Sequence, residues 1–266
     1  MKRVFEYSFI VPILFAFSLS IFGQGNEKIE RELLVHIKNI EQWSSYTNRG
    51  GEDLSGKLDE ENKIFEQKLL KYAKLPSTLK YKFGELSKFL SISTSEDGKF
   101  RIYSWDTQSG GTMHFYKNVY QYQSENGKVF SKSENLPETD PSGFVSDIFH
   151  IKTKSGKVYL ARFSSVLGNS LSYQMVQLFN IEGKSLNDKI KLIKTKSGLQ
   201  NSIGFEYNFF SVVDRKERPI KLILYDKAAK SIKIPVVIQK TPNDYGTVTN
   251  KFIVYKFNGK YFVKTK

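Results

Sequence analysis

The chain has 266 residues, 39% hydrophobic and 14% aromatic, which is enough to bury a sizeable core in one or two domains. It contains no cysteine, and this excludes disulfides, thiolate metal sites and a cysteine-linked lipid anchor. The formal net charge is +14, but only seven of the 41 basic residues are arginines and no dense basic block occurs. Bidentate phosphate recognition, and nucleic acid as a partner, are therefore disfavoured. The lysines read first as solvated faces, with an anionic envelope component left open as a partner.

The first residues, MKRVFEYSFIVPILFAFSLSIFGQGNEK, have the pattern of a cleavable secretory signal over 1–23. Lys2 and Arg3 form the basic start, Phe9 to Phe22 the apolar run, and Gly23 to Gly25 supply small residues for cleavage after Gly23. The apolar run is about 14 residues, short of the ~20 that a bilayer span requires. No other segment is longer and as apolar. A periplasmic or secreted location follows as the expectation.

Residues 24–78 predict a helical hairpin. Ile29, Leu33, Ile37 and Ile40 recur at helical spacing with Trp43 one turn on, and Asn26 stands where a cap would. His36 lies beside that stripe and has no second histidine at i+4, so it reads as a helix residue and not a ligand. TNRGGEDLSG, 47–56, predicts a loop. A second helix from about Lys57 places Leu58, Phe65, Leu69 and Tyr72 on one face and ends before Pro76.

From about Leu79 to the end, 79–266, short runs of alternating β-branched and aromatic residues replace the helical period. Linkers such as EDGK, ENGK, KSGK, IEGK and FNGK supply glycine where hairpins need positive φ. No helical crossovers intervene, so the sheet is expected to be antiparallel. NLPETDPSG, 135–143, predicts a surface loop. The fold class is thus mainly β: an N-terminal helical hairpin followed by a large antiparallel β-domain, either a sandwich or curled sheet or a degenerate few-bladed propeller. The propeller alternative comes from RIYSWDTQSGG. Over about a dozen residues it resembles one hairpin of a WD-type propeller blade, with Trp105 and Asp106 as the Trp-Asp pair that closes a strand.

No catalytic signature is present, and catalytic residues are left unassigned. There is no G-x-S-x-G elbow, and the three histidines, His36, His114 and His150, show no metal-ligand spacing. Asp147 and His150 are three apart on an expected strand and point to opposite faces. SGG at 109–111 precedes a strand and not a helix, so it lacks the helix N-terminus that holds phosphate. No cofactor and no metal are expected. Asp106, Asp140 and Asp147 remain as carboxylates able to do glycosidase-type acid and base work if the fold pairs two of them.

The aromatic stretch Ser95 to Gln123 offers the candidate ligand face. Arg101, Tyr103 and Trp105 share one face of its first strand; His114, Tyr116, Asn118, Tyr120 and Tyr122 share one face of its second. If the two rows are neighbours, they form a surface of rings with hydrogen-bonding tips suited to sugars. The competing reading makes the same residues a sheet core. Two function classes follow. The first is an exported non-catalytic binding or interaction module of the bacterial cell envelope, with a glycan, an anionic envelope component or a protein as ligand. The second is an envelope polysaccharide hydrolase using two carboxylates. The export expectation is checked by intact-mass measurement on protein from a native envelope fraction, where the chain should begin at Gln24; Met1 retained in cytosolic material would overturn it.

Overall fold

Apolar residues at helical spacing build two antiparallel helices, α1 (Ile10–Gln42) and α2 (Ser55–Tyr72), in a computed structural model that describes residues 10–44, 53–242 and 244–265, with side chains from residue 25 onward. The loop expected over 47–56 lies largely outside the described residues. Leu33, Ile37 and Ile40 of α1 bury against Leu58, Phe65 and Leu69 of α2, as the period predicts. Across the pair, Glu32 meets Lys68 and Tyr72, and His36 meets Glu61, so the helices run in opposite directions. Asn26 is not a cap. It sits inside α1 and its amide bonds Ser77, donating to the carbonyl at 3.1 Å and accepting from the hydroxyl at 2.9 Å. Among the described residues no helix is long and apolar enough to cross a membrane.

Fifteen strands follow among the described residues. They are β1 (Ser91–Thr94), β2 (Phe100–Asp106), β3 (Tyr116–Gln123), β4 (Val129–Ser133), β5 (Phe144–Thr153), β6 (Gly156–Val166), β7 (Leu171–Glu182) and β8 (Ser185–Asn187), then β9 (Ile193–Thr195), β10 (Gly198–Gln200), β11 (Ser202–Asn208), β12 (Leu224–Asp226), β13 (Ser231–Ile238), β14 (Thr247–Phe257) and β15 (Phe262–Lys264). The first sheet has the order β1-β2-β3-β4, the second β11-β7-β6-β5 with β8 on β7, and the third β10-β9-β15-β14-β13-β12. The five hairpin glycines expected from EDGK, ENGK, KSGK, IEGK and FNGK carry φ between 57° and 117°. All described pairings are antiparallel except β15 with β9.

The sheets stack in line. Tyr103, Trp105 and Val119 on one face of the first sheet pack against the helices. Phe100, Ile102, Tyr120 and Tyr122 on its other face pack against Tyr159, Phe163 and Phe179 of the second. Val158, Leu160 and Leu178 on the far side of the second sheet meet Ile232, Tyr255 and Phe262 of the third. The first and third sheets share no buried cluster, so the layers form a stacked sandwich and not the ring of blades that a propeller requires.

Buried polar side chains fix how the layers meet. Arg101, 5% exposed, donates to the carbonyls of Thr78 and Tyr81 at 2.7 Å and to the Thr94 hydroxyl at 2.7 Å, with Phe83 and Tyr103 rings beside its guanidinium. Gln121, fully buried, accepts from Tyr103 and donates to Thr78. Between the second and third sheets, Gln174 accepts from the Leu222 and Ile223 amides and donates to the Ile220 carbonyl. Arg162 donates to the Ile223 carbonyl. These side chains satisfy backbone groups of residues 220–223, which lie just before β12 and have no strand partner of their own among the described residues.

Trp105 is the largest fully buried side chain, edge-on to Phe65 at 5.1 Å and donating its indole N–H to Asn62 at 3.0 Å. Trp105→Ala should lower the unfolding free energy by ~3–5 kcal/mol, as loss of a large core ring does. Urea titration reads this directly, and a variant unfolding with wild-type stability would remove the indole from the list of core anchors.

Candidate functional site

The pairing of β2 with β3 decides the fate of the aromatic strip. Tyr103 stands opposite Val119 and Trp105 opposite Lys117, whereas Tyr120 stands opposite Ile102 and Tyr122 opposite Phe100. The two rows, which would form a common surface only as neighbours, therefore lie on opposite faces of the first sheet. Arg101, Tyr103 and Trp105 face the helices, Tyr120 and Tyr122 face the second sheet, and all five are buried. His114 and Tyr116, near the start of β3, are half-buried; the His114 ring lies nearly parallel to Tyr116, and its Nδ1 is 2.5 Å from the Asp106 carboxylate.

Beside Tyr116 the layers leave a cleft of about 480 Å³ between α2, the β2–β3 connection and the loop that joins β4 to β5. Asp59, Asn62, Lys63 and Glu66 reach it from one face of α2. Phe115, Tyr116 and Lys117 line it from the hairpin, and Glu134, Glu138 and Asp140 from the loop. The loop is the turn-rich segment expected at the surface, and it serves as the cleft wall. Asn62 positions the floor: it accepts from Trp105 and donates to the Thr107 carbonyl at 2.9 Å. Glu66 is held by Lys117 at 2.7 Å and by the Ser133 hydroxyl at 2.5 Å.

Glu134 is the chemically distinctive member. One carboxyl oxygen accepts from the Tyr120 hydroxyl at 2.8 Å; the other accepts from the Asn118 amide at 2.8 Å and the Ser142 hydroxyl at 2.6 Å. Burial pushes its pKa above the ordinary 4.5; the three donors oppose the rise and nearby Asp140 adds to it. Asp140 accepts from the Ser142 backbone amide at 2.8 Å, so Ser142 links the two carboxylates. Burial also raises the Tyr120 hydroxyl well above its ordinary value, with Glu134 adding to the effect.

Of the three carboxylates singled out by sequence, only Asp140 belongs to this cleft. Asp106 is engaged by His114 at a shallower neighbouring groove, and Asp147 is paired with Arg162 and Lys221 between the second and third sheets. Asp147 and His150 do face opposite ways, toward Arg162 and Tyr159 respectively. Glu134 escaped the sequence reading. Its signal was the acid- and proline-rich run ENLPETDPS directly after an aromatic hairpin, which marks a polar wall without saying what it faces. Among the described residues no group of three or more His, Asp or Glu is placed to hold a metal ion.

Comparison of the chain with protein-family models, curated proteins and solved structures finds no match.

The raised Glu134 pKa sets a pH dependence. The native state holds this proton more tightly than the unfolded chain, so its stabilising contribution is complete below the ordinary carboxyl value and is lost as pH rises through the raised value. Glu134→Gln, which cannot ionise, escapes that loss. Denaturation of both proteins from about pH 4 to about pH 8 should show the variant gaining stability relative to wild type as pH rises. A difference independent of pH would place the carboxyl at its ordinary value.

Proposed function

We propose that this protein is an exported, non-catalytic binding module of the bacterial cell envelope that recognises a glycan in the cleft beside Tyr116. The observation that carries the reading is the lining itself. Phe115 and Tyr116 line, with several carboxylate acceptors, a cleft of about 480 Å³, within the ordinary range of small-ligand sites. The side chains of Asp59, Lys63 and Glu138 have no hydrogen-bond or ion-pair partner among the described residues, so they offer acceptors and a donor to sugar hydroxyls. Rings of this kind stack on the apolar faces of sugars. The acid-rich lining disfavours an anionic ligand at this position. Export rests on the basic, apolar and small-residue pattern of residues 1–23.

A hydrolase is the second reading, supported by the raised pKa of Glu134 beside Asp140. A general acid must aim its proton at the leaving group. Both Glu134 oxygens are instead taken up by Tyr120, Asn118 and Ser142, and this favours binding.

Calorimetric titration with soluble envelope-glycan fragments, paired with a reducing-end assay on the same mixtures, separates the two. Binding should saturate without new reducing ends. Asp59→Asn combined with Glu138→Gln should weaken it at least about tenfold, since hydrogen bonds to charged groups are worth ~1.5–3 kcal/mol. Reducing ends that appear with wild type and vanish in Glu134→Gln would establish the hydrolase. Absence of both binding and cleavage across the fragments would remove the glycan reading.

A further inference from the structure

The chain's surplus charge is not spread evenly through the stack. Residues 189–200 and 219–265, which supply the third sheet and its turns, hold 13 lysines, no arginine and two acids, a net +11 out of the chain's +14. The described residues of the helical segment, 25–44 and 53–88, at the other end of the stack, hold 11 basic residues against 10 acids, a net +1. Of those 13 lysines, Lys221, Lys227 and Lys233 are ion-paired with Asp147, Glu96 and Asp226. The other ten have no ion-pair partner among the described residues.

Register places part of this charge on one plane. Lys194 of β9 stands beside Val263 of β15, Val263 beside Lys256 of β14, and Val254 of β14 beside Lys233 of β13. The alternate residues of the same strands, Ile193, Phe262, Tyr255 and Ile232, are buried against the second sheet. The lysine rows therefore form the outward face. On that face Leu224 and Phe252, each 40% exposed, interrupt the lysines.

We infer that the outer face of the third sheet docks on the anionic phospholipid headgroups of a bilayer. A soluble polyanion would be met by charge alone. Here flexible ammonium groups alternate with apolar side chains across a sheet, and that mixture suits an interface whose headgroups are negative and whose acyl boundary is apolar. Lysine is adequate for this task, because a charged surface asks for point charges and not for bidentate forks. The inference stands apart from the glycan reading. Docking through the third sheet turns the helical layer and the cleft away from the membrane.

The test is sedimentation of the full chain with phosphatidylcholine vesicles containing about one-third phosphatidylglycerol, against vesicles of phosphatidylcholine alone. Binding should require the anionic lipid and fall as salt rises from ~0.1 M to ~1 M and the Debye length shrinks from ~10 Å to ~3 Å. Each lysine removed should lower partitioning about fivefold, so Lys194→Gln with Lys256→Gln should lower it about 25-fold, while melting stays at wild type because both side chains are exposed. Phe252→Ser should lower partitioning several-fold at unchanged charge. Equal binding to both vesicle types, or wild-type binding by the lysine double variant, would overturn the inference. So would a face that binds heparin, ignores Phe252→Ser and leaves anionic vesicles in the supernatant, since that behaviour belongs to a polyanion site.

Discussion

Two-sided burial of the first sheet is the constraint on which the other arrangements rest. A sheet covered on both faces has no solvent side on which to leave polar side chains, so each one inside must find a partner. Arg101 meets this demand without a carboxylate: carbonyls of the Thr78–Tyr81 segment, the Thr94 hydroxyl and two aromatic rings surround its charge. The same contacts pin the chain where it passes from helix to sheet. Glu30 completes the junction from α1, accepting from the amides of Glu85 and Leu86 and from the Tyr81 hydroxyl. The helices are thus bound to the sheet by hydrogen bonds to backbone groups at fixed positions as well as by apolar area, and only one docking geometry satisfies them.

The cleft follows from this docking. Where α2 crosses the end of the β2–β3 hairpin, the indole of Trp105 reaches Asn62, and Asn62 reaches Thr107. Core and cleft floor are therefore one continuous network. The wall is built the same way, from Tyr120 in the interior to Glu134 at the rim and through Ser142 to Asp140. Burial raises the pKa of the carboxyl held in that position, while the side chains of Asp59 on α2 and Glu138 on the same loop stay unpaired among the described residues. Rigid support behind an open, acceptor-rich lining is what the glycan-binding role proposed for the cleft asks of it.

Linear stacking also gives the molecule two unlike ends. The helical end is nearly balanced in charge and carries the cleft; the third sheet carries most of the excess lysine. Stability of the core does not require this segregation, because Lys194, Lys233 and Lys256 point away from it. The asymmetry creates a field directed along the stack, and such a field orients a protein toward negatively charged surfaces before contact.

Much of this was legible in the chain itself. The helical spacing of Leu33, Ile37, Phe65 and Leu69 defined the hairpin, and strand alternation with glycine at the tight turns defined an antiparallel β-domain. Local periodicity carries such information because each side chain's direction depends on its own backbone and its immediate neighbours. Residues far apart in sequence were another matter. Whether the aromatic rows of β2 and β3 share a face depends on pairing, which sets Tyr103 opposite Val119, for a one-residue change in register moves every side chain of a strand to the other side. Glu134 and Asp59 lie 75 positions apart and line one cleft only because α2 docks on the first sheet. Lysines that look scattered along the chain gather on the third sheet only once β15 lies between β14 and β9. Sequence by itself determined the elements, the turns and the sum of the charge; the tertiary structure alone decided which faces meet, because pairing and docking are chosen by contacts that no local pattern encodes.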